Sequence, residues 1–97
     1  MGPSMPRTFV AQVSDPQAVF ASLQGWARAN GFALNGNAAG GSFRGRPGGL
    51  AGAIIGEISG TYSASGNMVT IQTDKDLPAG EVSRRLAQFG LRLVQSG

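Results

Sequence analysis

The chain has 97 residues, 41% hydrophobic and 13% charged, with a formal net charge of +3 carried by seven arginines and one lysine against five acids. That length fits one domain with one hydrophobic core; the composition is too apolar for a disordered chain, and no apolar run approaches the roughly 20 residues that span a bilayer. The sequence contains no cysteine and no histidine, which excludes disulfides, thiolate or imidazole metal ligands, a cysteine nucleophile and a histidine base.

Residues 1–5 read as a disordered N-terminal lead or remnant ahead of a single α+β domain over 6–97. No signal-peptide pattern is present, so a cytoplasmic location is expected. Arg7 to Val13 alternates, with Phe9, Ala11 and Val13 on one face, and predicts a first strand buried chiefly on one side. Ser14 or Asp15 then caps a helix whose first turn holds Pro16, and Ser14 with Gln17 has capping-box spacing. Val19, Phe20, Leu23, Trp26 and Ala27 recur at helical spacing until Asn30-Gly31 stops the helix, so it runs from about Pro16 to Asn30. Gly25 inside it suggests close packing against another backbone.

Phe32 to Asn35 and Ser42 to Arg46 predict two short strands paired as a hairpin. From Leu50 to Tyr62 one strand face reads Leu50, Gly52, Ile54, Gly56, Ile58, Gly60, Tyr62, an alternation of large and absent side chains that predicts a long curved or broken strand. Ser65-Gly66-Asn67 turns into Met68 to Thr73, placing Val69 and Ile71 on the side of Ile58 and Tyr62. After Pro78, Val82, Leu86, Phe89 and Leu93 form an apolar stripe that predicts a last helix up to about Val94, with Arg84, Arg85, Gln88 and Arg92 on its other side. The expected fold is an α+β two-layer sandwich of order β-α-β-β-β-β-α, its mainly antiparallel sheet carrying both helices on one face.

No catalytic set emerges, and no cofactor or metal is expected. Asp15 reads as a helix cap, Asp74 and Asp76 as turn residues, Glu81 as a first-turn acid able to pair with Arg85, and Glu57 as outward-facing. General acid–base chemistry needs paired groups in a cleft, so a non-enzyme is expected. Leu50, Ala51, Ala53, Ile54 and Ile55 form the candidate apolar interaction segment, for self-association as a homo-oligomer or for an apolar polymer or lipid-like surface. Burial of that segment on both faces is the favoured alternative. The glycine gaps also suggest an internal apolar cavity lined by Trp26, Phe20, Ile54, Ile58 and Phe89, against the favoured alternative that the helices fill them. Arg44, Arg84, Arg85 and Arg92 form a candidate anion-binding set, with Arg85 and Arg92 on one helix face, which keeps a nucleic-acid-binding module as the competing function. A solvated helix face is its simpler reading, and a structural subunit of a larger assembly is a third option.

The Trp26-bearing helix, Gly31-Phe32, Phe43-Arg44-Gly45, Gly56-Glu57-Ile58-Ser59-Gly60 and Gly66-Asn67-Met68-Val69-Thr70-Ile71, followed by an amphipathic end, resemble the small polyhydroxyalkanoic acid system proteins. The longer glycine-rich stretch Pro47 to Ile55 departs from that pattern. The resemblance implies a bacterial-type accessory protein that binds at an apolar, granule-like surface, and it transfers no catalytic residue.

Overall fold

The computed structural model describes residues 7–46, 56–75 and 77–96. They form β1 (Arg7–Gln12), α1 (Pro16–Ala29), β2 (Ala33–Asn37), β3 (Gly40–Gly45), β4 (Ile58–Ser65), β5 (Met68–Thr73), α2 (Ala79–Ala87) and β6 (Arg92–Ser96). All six strands join one antiparallel sheet in the order β2-β3-β4-β5-β1-β6, and the chain is an α+β fold. Of the strand predicted from Leu50, residues 50–55 lie outside the described residues, Gly56 and Glu57 are not in a strand, and β4 begins at Ile58.

The antiparallel pairings make β1 parallel to β2, and β5 parallel to β6, with α1 and α2 as the respective crossovers. Viewed from one face, the first crossover leads toward one edge and the second, starting from an oppositely directed strand, toward the other. A half-turn in the sheet plane relates the two, so the right-handed crossover rule sends both helices to the same face. Asp15 supplies the cap of α1, accepting a bond from the Ala18 amide at 3.2 Å. The β4–β5 hairpin turns on Gly66 and Asn67, with Gly66 at φ 62° in the first central position, where a II′ turn needs a positive φ.

The last element departs from expectation. The helix predicted to reach Val94 stops at Ala87, and Arg92–Ser96 form an edge strand beside β1. Gly90, at φ 83°, ends the helix: its amide donates to the Ala87 carbonyl at 3.1 Å and the Leu91 amide to the Leu86 carbonyl at 3.0 Å. This is a Schellman closure, and the hydrophobic residues on its two sides belong to one core: Leu91 is part of the buried cluster and Leu86 packs against it. Gly31 ends α1 in the same manner, with the Phe32 amide reaching the Ala27 carbonyl at 2.8 Å. Each helix thus stops on a glycine and launches a strand.

Ala11, Val13 and Leu91 are buried together, with Val19, Val69, Leu86 and Phe89 packed around them, while Phe9 is fully buried farther along β1. Between β3 and β4 the packing uses glycines. Phe43 lies opposite Gly60, and Tyr62 opposite Gly41. A side chain at Gly60 would meet Phe43 Cζ at 2.7 Å and run into the Gln72 carbonyl; one at Gly41 would meet the Tyr62 hydroxyl at 2.8 Å. The missing side chains are the space the aromatic rings occupy. Gly25 behaves otherwise: outside its own helix no described atom lies within 4 Å of its would-be Cβ, so no described segment makes the expected close backbone approach.

These two glycines predict opposite outcomes. Gly60→Val overpacks the sheet and lowers unfolding free energy by about 1–3 kcal/mol, whereas Gly25→Ala, on an exposed helix position, raises it by up to about 1 kcal/mol. Urea denaturation of both variants checks the pair, and equal effects would contradict the packing described.

Candidate functional site: an apolar groove between helices and sheet

Strand alternation sorts the sheet into two chemically different faces. Thr8, Gln12, Ser59, Thr61, Ser63, Thr70 and Gln72 point away from the helices, while Phe9, Phe43, Ile58, Tyr62, Val69 and Ile71 point toward them, in the register set by the strand pairs. The helices do not seal that inner face. Phe20, Leu23 and Trp26 from α1, Val82 and Leu86 from α2, and Phe89 beyond it remain half-buried, and with the inner strand residues they line a partly open cavity of about 300 Å³. Four of the five residues expected to line a cavity, Phe20, Trp26, Ile58 and Phe89, do so; Ile54 lies outside the described residues. The alternative that the helices fill the space is not what the described residues show.

Aromatic contacts hold the walls. Trp26 sits 5.0 Å from Phe32 and 5.9 Å, edge-on, from Phe89, so one ring ties α1 to the chain leading into β2 and to the end of α2. Phe20 approaches Tyr62 at 6.3 Å from above the floor. The Tyr62 hydroxyl crosses Gly41 and donates to the Asn37 carbonyl at 2.8 Å, pinning the edge strand. Desolvation raises the Tyr62 pKa.

The polar part of the lining belongs mainly to α2. Val82, Leu86 and Phe89 follow i, i+4, i+7 spacing, and Glu81, Arg85 and Gln88 form a parallel stripe one residue earlier; both stripes line the cavity. Glu81 receives Arg84 Nη2 at 2.5 and 2.7 Å and Arg85 Nε at 3.3 Å. Hydrogen bonds from Arg84 first, then Arg85, lower the Glu81 pKa. The sequence reading anticipated the Glu81–Arg85 pair and overlooked the closer Arg84, whose i+3 spacing was the available signal.

The candidate anion set does not converge. Arg44 bonds Glu57 at 3.1 Å on the outer face of β3. Arg92 lies on β6 instead of sharing a helix face with Arg85, because α2 stops at Ala87 and Gly90 turns the chain out of the helical path. Four strand spacings, about 19 Å, separate β3 from β6. Leu50, Ala51, Ala53, Ile54 and Ile55 lie outside the described residues. Among the described acids, Asp15 caps α1, Asp74 accepts from the Ser59 amide at 3.0 Å, and Glu57 and Glu81 bond arginines. No group of three or more potential metal-ligating side chains forms among the described residues, and none of their helices is long and apolar enough to cross a membrane. Comparison with protein-family models, curated proteins and solved structures yields no match for this chain.

Two titrations read this geometry directly. Tyr62 is the only tyrosine, so ultraviolet titration should place its midpoint above the ordinary phenol value, and Tyr62→Phe should cost about 0.5–1.5 kcal/mol by removing one hydrogen bond. Carbon-detected NMR should place the Glu81 midpoint below the ordinary glutamate value. Its pairing is therefore present at neutral pH and lost as pH falls through the lowered folded-state pKa. Arg84→Gln should move that midpoint upward; an unmoved midpoint would contradict the assignment of the dominant partner.

Proposed function

We propose that this chain is a non-enzymatic binding protein that takes a lipid-like, apolar guest into the groove between its two helices and its sheet. The observation that carries this reading is the cavity of about 300 Å³, within the ~300–1,000 Å³ range of small-molecule sites. Its walls are aromatic and aliphatic, and they are only half-buried. A guest covering each ~100 Å² of apolar wall gains about 2.5 kcal/mol before the costs of association. The site is largely preformed, since strand register sets its floor and Trp26 joins its walls.

A concave site favours a molecule-sized guest over a broad apolar surface. Among the described residues Val94 is the exposed large hydrophobic, and it stands on an edge strand away from the groove lining. The resemblance to the polyhydroxyalkanoic acid system proteins implies apolar recognition and agrees with this reading in chemistry. Nucleic-acid binding finds less support, because Arg44, Arg84 and Arg85 contact carboxylates and Arg92 stands apart.

Trp26 is the only tryptophan and lines the groove, so its emission is a local reporter. Adding decanol should change Trp26 emission saturably. Leu23→Glu, placing a charge on the α1 wall, should weaken decanol binding by about tenfold or more, whereas Ala21→Glu, on the exposed side of α1, should leave it unchanged. Circular dichroism and urea curves confirm that both variants fold; equal affinity in the two folded variants rules out the groove.

A further inference from the structure

Among the described lining residues, the charged side chains stand on the α2 wall. The α1 residues lining it are Pro16, Val19, Phe20, Leu23, Trp26 and Ala27, all uncharged, while α2 contributes Glu81 and Arg85. A guest with a polar end therefore finds its charged partner at α2.

The sign of that partner follows from the bonding around Glu81. Arg84 places Nη2 between both carboxylate oxygens at 2.5 and 2.7 Å, whereas Arg85 makes one longer contact through Nε at 3.3 Å. The Arg85 side chain is 47% exposed, and among the described residues its terminal nitrogens donate no hydrogen bond, Nε making the contact to Glu81. Arg84 thus supplies the closer neutralisation of the acid, leaving the three-residue cluster with one net positive charge directed to the groove through Arg85. A guanidinium offers a planar pair of donors suited to a carboxylate, and α2 places it beside the apolar stripe of Val82 and Leu86.

We infer that the guest is a single-chain carboxylate amphiphile, with its chain in the apolar groove and its carboxylate paired with Arg85. This rests on the binding reading above and adds the chemistry of the head group. The cavity volume lies at the lower end of the small-molecule range, which suits one chain over two. The alternating inner face supplies the chain's surroundings, and the Glu81–Arg85–Gln88 stripe supplies the boundary with water.

The test compares decanoate, decanol and decyltrimethylammonium at equal chain length, using Trp26 emission at neutral pH and low salt. Decanoate should bind about fivefold more tightly than decanol, the upper range expected for a partly exposed ion pair, and the cation should bind most weakly. Arg85→Gln should bring the decanoate-to-decanol affinity ratio to near one; because the readout is a ratio, a general loss of binding does not imitate this result. Added salt should reduce the wild-type ratio. Decanol binding without a decanoate preference, or a preference retained in Arg85→Gln, overturns the head-group inference while leaving the groove reading standing. Binding of none of the three, together with a dimeric mass by sedimentation, assigns the apolar face to a second copy and overturns both.

Discussion

The structure depends on a steric exchange between neighbouring strands: rings lie where the adjacent strand omits a side chain. Phe43 takes the space over Gly60, and Tyr62 takes the space over Gly41. This arrangement is specific to one register. A one-residue slip of β4 would turn Ile58, Tyr62 and Ala64 outward and put Ser59, Thr61 and Ser63 against the helices. It would also set Phe43 against Thr61 or Ser59, each of which has a Cβ, in place of Gly60. Cross-strand packing and hydrophobic alternation therefore select the same pairing, the kind of agreement between levels that gives a sequence one preferred fold.

That register shapes the groove by more than supplying its floor. Rings that lie along the sheet over glycines fill lateral gaps without rising into the space between the layers. The helices are positioned separately, by the right-handed crossovers and by glycine stops at Gly31 and Gly90. Full burial is concentrated around β1 and Leu91, where Ala11 and Val13 meet the elements leading into and out of α2. Elsewhere, the two layers approach each other through half-buried side chains. The same molecule thus has a small closed core and an adjoining apolar space, both built from the inward face of one sheet.

Much of this was legible locally. Phe9, Ala11 and Val13 announced the inner face of β1, Asp15-Pro16 announced the start of α1, and the two-residue turn at Gly66-Asn67 announced the central hairpin. The sixth strand was misread because two periodicities overlap. Leu93 lies four residues after Phe89, continuing a helical stripe, yet it also alternates with Leu91 along a strand. Gly90 was the deciding signal, since a glycine between Phe89 and Leu91 fits a Schellman closure with a hydrophobic residue on its far side. The cavity was less legible. Its candidate lining was visible in Phe20, Trp26, Ile58 and Phe89, but whether those side chains meet or stand apart depends on the separation of whole layers, which no local pattern encodes.

A partly open apolar interior has an energetic consequence for folding. Side chains such as Phe20, Leu23 and Val82 contribute less than their full burial would, because water retains access to part of their surface. Collapse of the helices onto the floor would recover some of that contribution, but it is opposed by the ring contacts of Trp26 and by helix ends tied to edge strands. A guest can supply the missing burial without displacing either anchor. Binding confined to the folded chain then couples occupancy to stability: at one hundred times its dissociation constant, a one-site guest adds about 2.7 kcal/mol. For a domain whose total stability is typically ~5–15 kcal/mol, that is a substantial share. The feature that leaves the empty fold less consolidated is therefore also the one through which a suitable guest would stabilise it.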